Sequence, residues 1–412
     1  MKRIIYILTL VMLLGGCAEL PSDNLYEGSL HELRIQVSYP EGYREFKRSG
    51  VIVRIENISV GVSYSLTTDD GGIVEAELAS GLYRVSVMDR TEEHIFNGAV
   101  DNIRLAGRQV SVTVDLIRSK PGALVIKELY TGGCKKLPIE GDYQSDKYAI
   151  LHNNSAETLY LDSLCFGTAD PYNSNATNVW VTQDPSTGES IFKDFVPVIQ
   201  CIWQFPGTGQ SFPLAPGEDA VIAMNGAIDH TALYPLSVNL NNEEYFVCYN
   251  STYFPNTIYH PAPGDRIRQE RILDVVIKTG QANAYPISIS SPTFVIFRPE
   301  DITIQDYILQ PDVVIPKPGS GKDYIVCIPQ DWILDGLEAF DGRSVTNLKR
   351  LGPAIDAGYV SLVDTYLGNS YLRRTDEEAT RMAGYEVLVD TNNSSNDFFL
   401  SEKATLYRPA DE

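Results

Sequence analysis

The chain has 412 residues, with 33 lysines and arginines against 54 aspartates and glutamates, and therefore a net charge of −21. Hydrophobic residues make up 43% of the chain, so the composition excludes wholesale disorder and the length allows two or three domains. The acidic balance argues against nucleic acid and anionic lipid as partners, because both are held by clustered Lys and Arg. The 24 tyrosines and 14 phenylalanines favour β structure over helix.

The N-terminus has the features of a signal peptide. Lys2 and Arg3 precede an apolar run from Ile4 to Leu14, which is too short to span a bilayer as a helix. The run ends in Leu-Gly-Gly-Cys, which resembles the bacterial lipobox. The resemblance implies that residues 1–17 are a lipoprotein signal peptide and that Cys17 is acylated and anchors the chain in a membrane. An ordinary signal peptide with an incidental cysteine is the alternative.

Cleavage before Cys17 would remove two cations and change the net charge from −21 to −23. By resemblance to lipoproteins of Bacteroides-type bacteria, we expect the outer membrane, with the periplasmic or the surface face left open. Residues 18–28 are polar and predict a short tether between the anchor and the first folded domain.

Residues 29–119 alternate between apolar and polar positions, as in Leu33, Ile35 and Val37, with glycine turns between the alternating segments. This pattern predicts a small antiparallel β-sandwich, in which Val60, Val62, Tyr64 and Leu66 are expected to share one face of a strand. The stretch TTDDGGIVEAELASGLYRVSV resembles the transthyretin-like or carboxypeptidase-regulatory sandwiches, which implies a non-catalytic spacer or adhesion module.

Residues 120–408 open with the apolar strand ALVIKELY, which ends near Glu128, and continue with DKYAILHNNSAETLYLDSL. These segments, with WQFPG and FPLAPGEDAVIAMN downstream, resemble the lamin-tail immunoglobulin-like family. Because the region is twice the length of that family's domain, the resemblance implies long insertions. The overall prediction is all-β, a small sandwich followed by a larger, insertion-rich immunoglobulin-like sandwich. Helix is expected only at Gln330–Phe340 and Asp376–Arg381.

The sequence predicts no catalytic constellation, no metal centre and no cofactor, and hence no enzyme. No two of the five histidines stand at metal-ligand spacing. The oxygen-rich run from Asp390 to Asp397 could hold calcium, but the same side chains make structural turns, which is the favoured interpretation. A disulfide and buried free thiols are equally compatible with the five cysteines of the larger domain: Cys134, Cys165, Cys201, Cys248 and Cys327.

An aromatic and asparagine-rich insertion from Ser237 to Pro263 is the predicted recognition surface. Aromatic rings beside Asn side chains suit capture of glycans or other small ligands, and equally protein interfaces, although some rings are expected to fill an enlarged core. The predicted ligand-binding residues are Tyr245, Tyr249, Tyr253, Tyr259 and His260.

The layout as a whole resembles an uncharacterised family of Bacteroides-type outer-membrane lipoproteins that carries a domain of unknown function. The resemblance implies a binding or accessory module of a nutrient-uptake system with a TonB-dependent receptor as partner. A cell-surface adhesin or structural protein is the alternative, and a carboxylate-based hydrolase is a third, which would require a cleft with paired Asp or Glu and a raised pKa.

Overall fold

The computed structural model describes residues 30–44, 49–90, 94–107, 109–119, 121–186 and 190–408. The predicted signal peptide with Cys17 and the predicted tether lie outside these residues. The described part consists mostly of β-strands in several sheets with three short α-helices, so the all-β prediction is confirmed. None of its helices is long and apolar enough to cross a membrane.

Two sheets form the N-terminal sandwich. Their strands are β1 (Leu30–Ser38), β2 (Ile52–Asn57), β3 (Val62–Thr67), β4 (Ile73–Ala79), β5 (Gly81–Arg90), β6 (Ile95–Leu105), β7 (Val110–Asp115) and β8 (Ile117–Ser119). One sheet has the strand order β4-β1-β7 and the other the order β3-β2-β5-β6-β8.

The alternation in this sequence marks the faces of the sandwich. Leu33, Ile35 and Val37 of β1 are buried in a core that also contains Tyr83 and Phe96, while the residues between them face outward. A strand places successive side chains on opposite faces, so every second apolar residue reaches this core.

One detail of the predicted sandwich is wrong. The sandwich is not wholly antiparallel, because β7 lies parallel to β1, with Leu33 opposite Val110.

The predicted strand after Val60 is present as β3, the edge strand of its sheet. Val62 and Tyr64 are exposed there, whereas Leu66 on the same face packs against the core.

The larger sandwich follows in residues 123–408. Its strands are β9 (Leu124–Tyr130), β10 (Cys134–Lys135), β11 (Asp142–Tyr143), β12 (Tyr148–Asn153), β13 (Leu159–Tyr160), β14 (Cys165–Ala169), β15 (Thr182–Gln183), β16 (Ser190–Ile191), β17 (Phe195–Gln204), β18 (Pro213–Leu214), β19 (Asp219–Ala223), β20 (Phe246–Val247), β21 (Asp274–Lys278), β22 (Thr293–Phe297), β23 (Val314–Pro316), β24 (Tyr324–Pro329), β25 (Ile333–Asp341), β26 (Val360–Leu362), β27 (Tyr371–Arg373) and β28 (Phe398–Leu400).

Two of its sheets enclose the main core. A six-stranded sheet has the order β20-β19-β12-β9-β27-β28, and an eight-stranded sheet has the order β23-β24-β17-β14-β22-β25-β26, with β21 paired to β17. Leu151 of the first sheet and Trp203 and Phe294 of the second meet in one buried apolar cluster. The three α-helices are α1 (Ile304–Tyr307), α2 (Glu377–Ala383) and α3 (Ser394–Asp397).

One of the two predicted helices is wrong. Gln330–Trp332 forms a single 3-10 turn, and the chain then continues as β25 beside β22, so the expected helix at Gln330–Phe340 is mostly strand. Residues Asp335 to Asp341 are buried on both faces of β25, which removes the alternation that identifies a strand. The second helix is confirmed as α2, capped by the Asp376 side chain.

A buried ionic cluster joins the two large sheets. Arg373 of β27 donates to Asp335 of β25 at 2.5 Å, to Asp390 at 3.1 Å, and lies 3.5 Å from Asp397. Its Nε also donates to the carbonyl of Ile126 at 2.7 Å. Burial raises the pKa of Asp335 and of Asp397 to about 7, against the opposing effect of Arg373. The three carboxylates therefore depend on this one guanidinium for compensation.

We expect Arg373→Met to destabilise the protein by about 3–5 kcal/mol, because it leaves three buried carboxylates without their cation. Arg374→Met is the matched control, since its side chain is exposed and the change should stay within about 0.5 kcal/mol. Urea unfolding followed by intrinsic fluorescence measures both. Equal stabilities of the two variants would contradict the conclusion that the three buried carboxylates depend on Arg373.

Candidate functional site

The predicted recognition insertion is an ordered loop region around β20. Its asparagines act inside the loop: Asn250 accepts from the backbone of Thr252 and Tyr253, and Asn256 accepts from the backbone of Ile258 and Tyr259. These are Asx turns, in which the side chain replaces a backbone acceptor. The Oδ1 atoms of both side chains thus shape the loop.

The predicted ligand-binding residues divide into buried and exposed ones. Tyr245 and Tyr249 pack against the apolar cluster around β20, and His260 is buried with its ring stacked on Tyr249 at 5.6 Å. Burial lowers the pKa of His260 to about 4, so this imidazole is neutral at physiological pH. Tyr253 and Tyr259 are exposed by 44% and 46%. Of the five, Tyr259 lines a cavity described below.

That cavity, of about 190 Å³, lies where the loop meets the start of β12. We call it the Lys147 pocket; residues that line it are Ser145, Lys147, Tyr172, Asn225, Tyr259 and Tyr285. They come from positions as far apart as 145 and 285, and the sheet brings them together because Lys147 and Met224 pair through their backbones at 2.9 Å.

Lys147 supplies a buried positive charge to the pocket. Its ammonium donates to the carbonyl of Ile287 at 2.9 Å, and within the described ranges no carboxylate forms an ion pair with it. Burial lowers the pKa of Lys147 from 10.5 to about 8, partly offset by the charge of Asp146. An ammonium has three donors, so this group can bind further acceptors.

Asp146, the neighbouring carboxylate, is hydrogen-bonded through one oxygen, and its Oδ1 is buried without a hydrogen-bond partner among the described residues. Its Oδ2 accepts from Tyr130 at 2.9 Å and from Ser237 at 2.6 Å. The negative charge of Asp146 therefore favours the protonated form of Lys147 through space, without a direct hydrogen bond between the two side chains. A desolvated cation without a directly bonded anion is unfavourable, and the sheet must be stable enough to hold it.

Asn225 adds a buried amide to the same pocket. Its Nδ2 donates to the carbonyl of Tyr285 at 2.7 Å, which fixes the side chain. Its Oδ1 is buried and accepts no hydrogen bond from any described residue. The pocket therefore contains both a cationic donor and an unused acceptor.

Tyrosines form the rim of the pocket. Tyr172 and Tyr259 both line it and are 37% and 46% exposed. Of the predicted ligand-binding residues only Tyr259 lines this pocket, and the sequence pattern did not point to Tyr172 or Lys147. The one signal for Lys147 is a lysine directly before the apolar strand YAIL, where a charge is unexpected.

Another polar cluster, at His152, Asp219 and Glu386, has the residue types of a metal site. The Lys127 ammonium lies between its carboxylates, 2.7 Å from Asp219 and 2.6 Å from Glu386. Both ring nitrogens of His152 face acceptors, the Asp219 carboxylate at 2.7 Å and the Glu386 carbonyl at 3.0 Å. Because both carboxylates are already bonded to the Lys127 ammonium, we assign this cluster as an ionic network.

The oxygen-rich turn from Asp390 to Asp397 belongs to the Arg373 cluster. Asp397 accepts from the backbone of Thr391 at 3.0 Å and of Asn393 at 3.2 Å, and Asp390 accepts from the Gly122 backbone. These donors and the guanidinium occupy the carboxylate oxygens that calcium would require. The geometry is that of a structural turn.

The five cysteines of the larger sandwich are buried free thiols. Of the two possibilities that the sequence left open, the structure has no disulfide among these five. Burial raises the pKa of Cys134 and Cys165 to about 12 and that of Cys327 to about 11, so these thiols carry no thiolate for nucleophilic chemistry near neutral pH.

We expect Lys147→Met to stabilise the empty protein by up to about 3 kcal/mol at neutral pH, because it removes a desolvated charge. As the pH rises from about 8 to 10.5, folded Lys147 loses its proton before the unfolded chain does. The wild-type protein therefore gains stability over this range, and its difference from the variant should shrink. Urea unfolding at neutral pH and near pH 10 measures this difference.

Lys135→Met is the control, because its half-exposed ammonium pairs with Asp142 at 2.6 Å and should change stability by less than about 1 kcal/mol at either pH. If Lys147→Met were less stable than wild type at neutral pH, the conclusion that the buried charge of Lys147 destabilises the protein would be wrong.

Comparison with known proteins gives a fold and a family match. A crystal structure of a DUF4876 family protein from Bacteroides thetaiotaomicron aligns with 92% of this chain and 98% of its own, at 24% identity and a TM-score of 0.57. Two further structures are too distant to carry an argument. The Bacillus anthracis TIE protein aligns at 13% identity over 46% of this chain and 32% of its own, with a TM-score of 0.16. A candidate adhesin from Bacteroides ovatus aligns at 12% identity over 42% of this chain and 63% of its own, with a TM-score of 0.17. No curated protein matched. Residues 215–405 match the family described as a protein of unknown function, DUF4876.

Proposed function

We propose that this chain is a non-enzymatic binding lipoprotein of the bacterial outer membrane, and that the Lys147 pocket captures a ligand through a carboxylate. The observation that supports this proposal is a buried ammonium, without a directly paired anion, beneath exposed tyrosines. The proposal extends to an accessory role in nutrient uptake beside a TonB-dependent receptor.

A carboxylate is the group that complements Lys147. It would supply the missing negative charge, and charge-assisted hydrogen bonds of this kind are about twice as strong as neutral ones. Asn225 offers an acceptor for a neighbouring hydroxyl or amide of the same ligand. Exposed Tyr172 and Tyr259 offer apolar ring faces with polar tips, as in many small-ligand sites.

The volume limits what enters. About 190 Å³ holds one ring-sized group rather than a long chain, so we expect the terminal residue of a larger molecule or a single acidic sugar. The overall charge of −21 repels anions at long range, and the ligand is therefore selected by contact inside the pocket.

The carboxylates with the most raised pKa do not support hydrolysis. Asp335 and Asp397 are buried and form ion pairs with Arg373, and neither residue lines the Lys147 pocket. General acid catalysis needs the carboxyl to reach the substrate. For this reason the proposal is binding without catalysis.

Isothermal titration of the purified protein with galacturonate and N-acetylneuraminate tests the ligand site, with galactose as the uncharged probe. We expect at least one acid to bind and galactose not to compete for the pocket. Lys147→Met should abolish binding, and Tyr259→Ala should weaken it about tenfold, equivalent to about 1.4 kcal/mol. Tyr253→Ala is the matched control, an equally exposed loop tyrosine outside the lining, and should bind as wild type.

Binding of neither acid at about 10 mM, or equal binding by Lys147→Met and wild type, would refute the carboxylate site. Urea unfolding of Lys147→Met under the titration conditions distinguishes a loss of binding from unfolding.

The membrane anchor is tested separately by Cys17→Ala. We expect wild type to incorporate a labelled fatty acid and to sediment with outer membranes, and Cys17→Ala to lose the label, because acyl chains provide the anchor. Co-purification of a TonB-dependent receptor with the wild-type protein tests the proposed partner. An unlabelled wild-type protein would refute the lipoprotein assignment without touching the ligand site.

A further inference from the structure

A second cavity lies between the two sandwiches. It has a volume of about 290 Å³ and shares no lining residue with the Lys147 pocket. The N-terminal sandwich contributes Glu56, Arg84 and Asp101, and the larger sandwich contributes Asn178, Asn347 and Tyr359. We call it the intersandwich cleft.

The N-terminal side of the cleft is the outer face of one sheet. Glu56 of β2 stands directly opposite Arg84 of β5, and Asp101 lies on the adjacent β6. Alternation along β5 places Tyr83 and Val85 in the core and predicts Arg84 in solvent. Arg84 is instead only 4% exposed, because the larger sandwich covers this face.

Arg84 is held from three sides. Its Nε pairs with Asp101 at 3.2 Å, its Nη2 donates to the carbonyl of Ala357, and the guanidinium lies 4.8 Å from the centre of the Tyr359 ring. Tyr359 is stacked on Phe340 at 4.0 Å. These contacts fix the position of the guanidinium between the sandwiches.

One donor of Arg84 is left over. Its Nη1 is buried and has no acceptor among the described residues. Arg84 also lines an adjoining cavity of about 350 Å³, so it lies between two empty volumes. A buried donor without a partner is costly, and an acceptor brought by a ligand would remove that cost.

The charges of the cleft favour a neutral ligand. Lys349 lines the cleft, but its ammonium is already bound to Glu338 at 2.8 Å and to two backbone carbonyls. Arg84 is then the cation available to a ligand, and Glu56 and Asp101 stand beside it. An anionic ligand would be repelled by these carboxylates, whereas hydroxyl groups can donate to them and accept from Arg84.

We propose that the intersandwich cleft binds a neutral saccharide, with Arg84 as the donor to its hydroxyl oxygens and the carboxylates of Glu56 and Asp101 as acceptors. The site lies outside the Lys147 pocket and recognises a different chemistry. A ligand there would contact both sandwiches and hold them in one arrangement.

Titration calorimetry of the purified protein with cellobiose, lactose, maltose and N-acetylglucosamine tests the cleft. We expect at least one of these sugars to bind. Ser361→Trp should weaken that binding at least tenfold, because exposed Ser361 lines the cleft and an indole there would fill it. Ser65→Trp is the matched control, an exposed strand serine outside the cleft lining, and should bind as wild type.

Arg84→Lys provides a second variant that keeps the positive charge. A lysine ammonium cannot donate to Asp101, to the carbonyl of Ala357 and to a ligand from the positions of the guanidinium nitrogens, so we expect sugar binding to weaken at least tenfold. Galacturonate binding at the Lys147 pocket, where found, should be unchanged in Ser361→Trp, which separates the two sites. No binding of any of the four sugars at about 10 mM, or wild-type affinity in Ser361→Trp, would overturn the proposal.

Discussion

A buried guanidinium, that of Arg373, links the two large sheets of the larger sandwich. Arg373 of the six-stranded sheet reaches Asp335 of the eight-stranded sheet, and Asp390 and Asp397 of the turn that follows α2 complete its surroundings. Asp335 also accepts from the backbone of Ile126, so the same charges fix the register of β9 against β25. Hydrophobic burial supplies the main driving force for packing the two sheets, but it is not directional. The ionic cluster is directional, and it connects the two sheets at defined residues.

The same cluster reaches the junction with the N-terminal sandwich. Asp390 accepts from Gly122, at the point where the chain leaves the first sandwich, and the carbonyl of Thr391 accepts from Asn97 of β6. Arg84 makes a second junction through Ala357 and Tyr359. The cleft between the sandwiches is thus bordered by polar contacts. The Lys147 pocket differs because it is formed within the larger sandwich, where a single ammonium is enclosed by strands and a tyrosine loop. Two cavities of opposite electrostatic character follow from these two arrangements.

Much of the fold could be predicted from the sequence where one face of a strand is buried and the other is exposed. β1 shows this alternation clearly, and α2 is marked by Asp376 before it and Gly384, at a φ of 79°, after it. The prediction was wrong where both faces of a strand are buried, as in β25. At the edge strand β3 the alternation identifies the strand, but it does not show that Val62 and Tyr64 are exposed. In both cases the pattern depends on what covers the strand. The candidate site also depends on contacts between distant parts of the chain. Tyr259 could be proposed from the aromatic residues near it in sequence, whereas Lys147 and Tyr172 lie far from that segment and could not.

The sequence by itself determined the all-β class and the acidic charge of −21, because both are encoded in composition and local pattern. A lipid anchor at Cys17 stays a prediction from a short contiguous segment. Only the tertiary structure decided which polar groups are buried. Arg84 occupies a position that alternation assigns to solvent, and Lys147, directly before β12, is buried. The free energy cost of a buried charge depends on neighbours drawn from distant parts of the chain, so no local pattern can show it. The proposed binding sites of this protein are set by those long-range contacts.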